Sequence, residues 1–258
     1  MEKARYAVIG TGHLGRFHAE KYASLPDCDL VGVVDTNLPA AKELAERLHT
    51  RAFSDYHELL GEVDAVSIAV PTHLHHAIAS DCLAAGVDCL IEKPITVTLA
   101  EADDLIGKAR ANDCLIQVGH LERFNPAVLE LARHLDSPRF IESHRLAPFN
   151  PRANDVSVVL DLMIHDIDII LDVVDSEVDR IDASGTDVLT RDIDIANARI
   201  VFQNGCVANV TASRVSQKSE RKMRIFQEDA YLSVDFGDRV FKRYHKGDKE
   251  MFPGIPEI

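Results

Sequence analysis

No apolar run in the 258-residue sequence approaches the ~20 residues that a bilayer-spanning helix needs. The start, Met1-Glu2-Lys3-Ala4-Arg5, leads straight into a short apolar stretch and lacks the apolar core and small-residue cleavage site of a signal peptide. Cysteine is scarce and scattered. Cys28, Cys82, Cys89, Cys114 and Cys206 are odd in number and form no C-x-x-C pair. That spacing argues against a disulfide framework or a zinc site, and for reduced thiols in a cytoplasmic protein. Positive charge is also short, with 28 Lys and Arg against 42 Asp and Glu and a formal net charge of −14. Such a field repels nucleic acid and anionic membranes, so neither is expected as a partner. A phosphorylated ligand would need local donors that overcome it. Internal repeats and low-complexity linkers are absent as well. What remains is an ordinary globular balance, long enough for one large domain or two small ones.

The first half alternates short apolar runs with longer amphipathic stretches. The runs are Tyr6–Ile9, Leu30–Val34, Ala65–Val70, Val87–Ile91 and Leu115–Val118. Helical patterns lie near 14–25, 39–49, 75–85, 98–111 and 126–135. Continuous apolar strands alternating with helices predict a doubly wound parallel sheet covered on both faces, an α/β Rossmann arrangement. The rhythm changes after about residue 122. Arg139–Ala147 reads as a strand and Ser157–Val174 as a long apolar helix. Six strand-like runs follow: Arg180–Val188, Asn197–Phe202, Val207–Val215, Lys222–Gln227, Tyr231–Val234 and Arg239–Tyr244. Gln203-Asn204-Gly205 is a hairpin turn between two of them. The expectation is a Rossmann domain over 1–121 and an α+β domain with a mostly antiparallel open sheet over 122–258.

Gly10-Thr11-Gly12-His13-Leu14-Gly15 matches G-x-G-x-x-G. Alone the motif is weak, but here it follows an apolar strand and opens a helix, as dinucleotide binding requires. Gly10 permits the tight turn, Gly12 lets backbone approach a pyrophosphate, and Gly15 allows helix to pack on strand. His13 and Leu14 open the helix N-terminus, whose free N–H groups suit phosphate. The second run ends in Asp35, about 20 residues beyond Gly15, where a carboxylate accepts ribose hydroxyls and repels a 2′-phosphate. NAD is therefore expected rather than NADP. The third run ends in Val70-Pro71-Thr72-His73-Leu74-His75 and the fourth in Glu92-Lys93-Pro94. Both segments fall at strand C-termini, where ligands of such sheets sit. A surface Lys and ordinary solvated histidines would give the same pattern.

In the long helix Asp161, His165 and Asp168 fall at i, i+4 and i+7, on one face that Asp172 extends. A His flanked by carboxylates is suited to taking a proton from a hydroxyl near neutral pH. The same stripe could be the wet side of an amphipathic helix. A metal is not expected, because no further ligand cluster joins these residues. Arg214, Lys218, Arg221, Lys222 and Arg224 form the one basic concentration. They could meet substrate phosphate or simply a solvated rim.

On these residues the chain resembles the Gfo/Idh/MocA oxidoreductase family. The carriers are Gly10-x-Gly12-x-x-Gly15, Asp35, Pro71-Thr72-His73-Leu74-His75, Glu92-Lys93-Pro94, Arg123-Phe124-Asn125-Pro126 and Asp161-x-x-x-His165-x-x-Asp168. The resemblance implies that Lys93 contacts nicotinamide and substrate, that His165 is the acid/base, and that Asp161 supports it. It places Pro71, Thr72, His75 and Glu92 with the cofactor, and Arg123, Asn125, Asp168 and Arg214 with the substrate. It also implies an open sheet used for homodimer or homotetramer contacts. Val118–Pro126 and Ala212–Lys218 are similar to members that oxidise UDP-N-acetyl amino sugars, among them UDP-N-acetylglucosamine 3-dehydrogenases. Family members usually continue through a further C-terminal helix, whereas this sequence ends at Phe252-Pro253-Gly254-Ile255-Pro256-Glu257-Ile258, so a C-terminally shortened second domain is expected.

The implied activity is transfer of hydride from a sugar, or a UDP-sugar, secondary alcohol to NAD. Two alternatives differ in kind. One is a reductase of a non-sugar substrate on the same fold, since fold is not function. The other is a catalytically silent NAD-binding sensor, which would bind NAD yet turn over no sugar.

Overall fold

The computed structural model describes residues 3–150, 156–247, 249–253 and 255–256. The chain divides into two compact units, Met1–Gly119 and His120–Ile258.

The first unit is a six-stranded parallel sheet. Its strands are β1 (Ala4–Ile9), β2 (Cys28–Val34), β3 (Arg51–Phe53), β4 (Ala65–Ile68), β5 (Asp88–Ile91) and β6 (Ile116–Val118), in the order β3-β2-β1-β4-β5-β6. The order reverses between β1 and β4, which opens a crevice beyond their C-terminal ends. Helices α1 (His13–Ser24), α2 (Leu38–Leu48), α3 (His75–Ala84) and α4 (Leu99–Ala111) connect the strands. Two apolar layers form. Val8, Ala19, Val33, Ala41 and Leu44 are buried together in one, and Ile9, Ile68, Ile78, Leu83, Ile91 and Leu105 in the other. Both faces of the sheet are thus covered, which is why its strands read as unbroken apolar runs. Helix starts follow local chemistry. Asn37 caps α2 by accepting from the Ala40 N–H, and Thr98 and Glu101 form a reciprocal capping box on α4.

The second unit is a seven-stranded sheet with helices on one face. Its strands are β7 (Phe140–Leu146), β8 (Val178–Thr186), β9 (Ile195–Phe202), β10 (Val207–Ser213), β11 (Glu220–Phe226), β12 (Ala230–Asp235) and β13 (Val240–His245). The order is β13-β12-β11-β7-β10-β9-β8, antiparallel except for the central β7–β10 pair. Helices α5 (Pro126–His134) and α6 (Ile164–Val173) supply Val128, Leu131, Ile169 and Ile170 to a core shared with Ile141, Ile200, Val210, Met223 and Leu232. The opposite face alternates outward and carries Glu142, His144, Asn197, Asn209, Lys222 and Arg224. Gly205, at φ +87°, closes the β9–β10 hairpin.

Three features differ from the sequence expectation. β3 is a three-residue strand, too short to leave a pattern. The predicted helix over 157–174 enters through a π-helical turn, Val159–Met163, and becomes α-helical only from Ile164. Two short strands, Glu250–Phe252 and Ile255–Pro256, pair near the end of the sequence.

Candidate active site

The glycine motif sits where β1 turns into α1. Gly10 has φ +94°, a region that favours glycine, and a Cβ there would lie 2.5 Å from the Ala69 carbonyl oxygen. A Cβ on Gly15 would overlap the Gly10 carbonyl oxygen outright. Gly12 differs, because a Cβ there meets nothing within 4 Å. Gly12 is also the N-cap of α1 and gives it no side-chain cap. The opening N–H groups of α1, from His13 and Leu14 onward, thus face open space beside a small residue. That is a cradle for a diphosphate. The space continues into a cavity of about 480 Å³ lined by Gly10, Gly12, Asp35, Tyr56, Val70 and Pro71 among others.

Asp35 closes this cavity at the end of β2. Its Oδ2 accepts from the Thr11 N–H and hydroxyl, both at 2.8 Å, and its Oδ1 accepts from the Asn37 N–H at 2.8 Å. Burial opposes its charge, but these hydrogen bonds outweigh burial and hold the carboxyl below the usual carboxylate range. Asp35 is therefore a fixed anion with acceptor capacity left for a ribose hydroxyl. The donor set and the shape fit NAD.

The β4 and β5 ends behave differently. Pro71 lines the cavity, and Thr72 is buried beside it in a short 3₁₀ turn. His75 is buried, with Nδ1 2.9 Å from the Pro94 carbonyl oxygen and Nε2 2.9 Å from that of Val70. The ring thus sits between the β4 and β5 ends and donates its one N–H to either carbonyl. Glu92 is buried; its Oε1 lies 3.0 Å from His18 Nε2, and its Oε2 accepts from the Lys93 N–H at 3.3 Å. A Cβ on Gly119 would stand 3.0 Å from the Glu92 carboxylate, which would have to give by a few tenths of an ångström. Lys93 follows directly and is half-buried.

In the second unit Asp161 lies in the π turn and His165 in the first turn of α6, both half-buried. Asp168 is engaged by Arg123, whose Nε donates at 2.7 Å and Nη2 at 2.8 Å. The remaining Arg123 nitrogen, Nη1, donates to Asp172 at 2.8 Å. Three of the expected stripe and substrate residues thus form one clamp. The Asp168 hydrogen bond, the largest contribution, raises the Arg123 pKa further. His120 Nδ1 stands 3.8 Å from Asp168 Oδ2.

Asn125 caps α5. Its side-chain oxygen accepts from the Ala127 N–H at 3.1 Å, and its amide nitrogen donates to the Phe236 carbonyl at 3.1 Å. Arg214 is buried. It donates to Asp194 at 2.8 Å, to the Val156 carbonyl at 2.7 Å and to Thr190 Oγ1 at 3.0 Å. Asp194 also accepts from the N–H groups of Val188, Leu189 and Thr190. Burial raises its pKa, but these donors together outweigh that and push the pKa far down. Arg214 therefore braces the β8–β9 loop. The rest of the basic concentration is partly neutralised, with Arg224 on Glu142 at 3.2 Å and Lys222 near Asp235 at 3.6 Å.

Residues 4–120 match an oxidoreductase family with an NAD-binding Rossmann fold, and residues 132–233 match the Gfo/Idh/MocA C-terminal domain. A UDP-N-acetylglucosamine 3-dehydrogenase from Acidithiobacillus ferrooxidans is 46% identical over 255 residues, covering 98% of this chain and 80% of that protein. The chain belongs to the Gfo/Idh/MocA oxidoreductase family. The solved structure of the A. ferrooxidans enzyme aligns with a TM-score of 0.89 over 95% of this chain and 81% of that one. A scyllo-inositol 2-dehydrogenase (NAD(+)) from Bacillus subtilis is 29% identical over 234 residues, 83% of this chain and 68% of that protein. As a Gfo/Idh/MocA member the protein is an enzyme, an NAD-dependent oxidoreductase acting on CH–OH groups. Among the described residues no helix is long and apolar enough to cross a membrane.

The structure brings forward residues that sequence reasoning passed over. His18 meets Glu92 across 74 positions, and no local pattern announces that pair. A side chain at Gly119 would crowd the Glu92 carboxylate, a contact that no local pattern announces. Asp166, next to His165, turns inward to Arg145. Its signal was available: a fourth Asp in the helix, off the His165 stripe and on the apolar side.

Proposed function

We propose that the protein oxidises the 3-hydroxyl of UDP-N-acetylglucosamine, with NAD as hydride acceptor. The observation that carries this reading is the 46% identity, over 98% of the chain, to an enzyme of that name. The first unit would hold NAD through the α1 N-terminus, Gly12 and Asp35. Once bound, NAD supplies an electrophilic ring that takes a hydride.

The chain's own residues do the remaining work. His165 accepts the proton of the sugar hydroxyl as the carbinol carbon becomes a carbonyl, and the imidazole leaves the step as imidazolium. Asp161 orients that imidazole from the preceding turn. Lys93 places an ammonium at the carbinol oxygen and stabilises charge that develops there. Glu92 and His75 act behind Lys93: their hydrogen bonds fix the strand end from which it projects. Arg123 and Asp168 shape the substrate side as a pair rather than as two free groups. The protein would work in the cytoplasm, where its five free thiols are stable, as a homodimer or homotetramer. The aromatic row Phe140, Phe226, Tyr231 and Tyr244 on the open sheet face supports an oligomer contact there.

The test is NADH formation with NAD and UDP-N-acetylglucosamine, UDP-glucose, free N-acetylglucosamine and inositols, with His165→Ala in parallel. Turnover of the UDP-N-acetyl sugar well above the others, lost in His165→Ala while NAD still binds, is expected. Preference for inositol or a free sugar would overturn the substrate assignment. Undiminished turnover in His165→Ala would overturn the role given to the imidazole.

A further inference from the structure

An ion triad lies inside the second unit against the turn that carries His165. Asp166 is 0% exposed and Arg145, on the core face of β7, is 3% exposed. Arg145 Nη2 donates to Asp166 Oδ1 at 2.7 Å and Nε approaches both carboxylate oxygens at 3.1 and 3.2 Å. The same Nη2 donates to Glu122 at 3.0 Å, and the guanidinium carbon stands 5.1 Å from the centre of the Phe236 ring. Glu122 directly precedes Arg123, which clamps Asp168 and Asp172. Two consecutive residues of one short segment thus join α6 through two arginine–carboxylate nodes. The nodes involve positions one, three and seven beyond His165.

Stability does not explain the inner node. Desolvating ions offsets most of their attraction, and an apolar pair of similar volume is commonly as stable or more so. Apolar packing is at hand: Ile169 and Ile170 in the next turn of α6 and Ala212, paired with Arg145 in the sheet, are buried, beside the Ser143 hydroxyl that also hydrogen-bonds Asp166. What a forked guanidinium–carboxylate pair supplies and aliphatic packing does not is direction. Direction matters at this point in the chain. The π turn Val159–Met163 ends where α6 begins, and the Ile164 N–H reaches back to the Val159 carbonyl. A wide turn of this kind interrupts the regular ladder that would otherwise fix the rotation of the next turn. Successive side chains on a helix diverge by about 100°, so fixing Asp166 in rotation also fixes His165.

We infer that Arg145, acting through Asp166, is a positioning residue that sets the rotation of the first turn of α6 and so the aim of the His165 imidazole. The inference rests on the proton-acceptor role proposed for His165. Glu122 extends the same lock to the 120s segment, so that the clamp on Asp168 and the lock on Asp166 move together.

The test is a cycle of Arg145→Met, Asp166→Leu and the double variant, each measured for Tm, kcat and KM with NAD and the sugar substrate. Arg145→Met leaves the buried Asp166 without its cation, Asp166→Leu leaves the buried Arg145 with Glu122 alone, and each lowers both Tm and kcat. The double variant regains most of the lost Tm, yet its kcat stays about 10- to 100-fold down, the scale expected of a misplaced acid/base group. Its KM for NAD stays within about twofold, because only proton transfer is misaligned. A double variant whose kcat recovers together with its Tm overturns the inference and leaves a packing role only. Should the double variant not fold, Arg145→Lys decides. It keeps the charge and loses the fork, so a near-native Tm with kcat about tenfold down supports positioning, and a native kcat refutes it. His165→Ala separates the two levels. If it is inactive while the double variant has native kcat, the positioning inference fails alone. If it retains native turnover, the assignment beneath the inference has failed.

Discussion

Gly12→Ala and Gly15→Ala are the same chemical change three residues apart, and the structure predicts opposite consequences. At Gly12 the backbone has φ −63° and ψ −162°, extended geometry open to any residue. The added methyl meets nothing within 4 Å. Gly12→Ala should therefore fold normally, with stability unchanged or raised by about 0.4–1 kcal/mol through lower unfolded-chain entropy. The room the methyl fills is the approach to the α1 N–H groups, so NAD should bind at least tenfold more weakly, a loss of about 1.4 kcal/mol or more. At Gly15 the methyl would overlap the Gly10 carbonyl oxygen and stand 2.9 Å from its carbon. Both are backbone atoms at the β1–α1 turn, so α1 must shift bodily. Overpacking of that kind typically costs about 1–3 kcal/mol. Thermal unfolding with and without NAD reads both effects at once. Saturating NAD at 100 times Kd adds about 2.7 kcal/mol to the wild type. Gly12→Ala should show a native Tm without NAD and a much smaller rise with it, and Gly15→Ala a lowered Tm from the start. A Gly12→Ala protein that binds NAD with native affinity would refute the cradle as the diphosphate site.

Three further expectations concern single side chains. Asp35→Ala removes the ribose acceptor and the 2′-phosphate repulsion together, so the ratio of kcat/KM for NAD over NADP should fall tenfold or more; an unchanged ratio would place discrimination elsewhere. Asn125→Ala removes the α5 cap and should cost about 1 kcal/mol, read from urea unfolding; native stability with a raised KM for the sugar would instead mark Asn125 as a substrate contact. Asp194 has a folded pKa below its unfolded value of about 4, so its contribution is present above that pH and is lost as pH falls below it. Asp194→Asn should lower Tm at neutral pH and flatten the fall of Tm below about pH 4, and a steep acid limb that persists would contradict this.

Much of the fold was legible because two sequence periods carry it. Unbroken apolar runs such as Tyr6–Ile9 and Ala65–Val70 announce a sheet buried on both faces, and their ends locate Gly10 and Pro71. In the second unit Phe140–Leu146 and Val207–Ser213 read as strands, but the buried face of the first was not legible, because two of its three inward residues are Ser143 and Arg145. The parallel pairing of these two strands was not legible, because their connection runs through α6, β8 and β9 and leaves no local mark. The π turn was invisible for a related reason. Asp161 and His165 keep helical spacing in sequence whichever ladder joins them. Candidate site residues were found by type and spacing, but their partners were not. Arg214 read as one of five cations for a substrate phosphate or a solvated rim, yet just past β10 it is buried against Asp194, 20 positions away. Asn125 and His75 read as ligand contacts, yet their polar atoms are bound to backbone. Long-range pairing decides such cases, and composition records only that the pairing groups exist.

The proposed reaction is hydride transfer from the 3-carbon of UDP-N-acetylglucosamine to NAD. The most direct measurement uses UDP-N-acetylglucosamine carrying deuterium at that carbon, incubated with the enzyme and NAD, with the NADH analysed by mass spectrometry. Deuterated NADH together with a 3-keto UDP-sugar is expected. NADH formed without deuterium would mean oxidation at another carbon. No NADH, from a protein that demonstrably binds NAD and accepts a different alcohol, would contradict the claim.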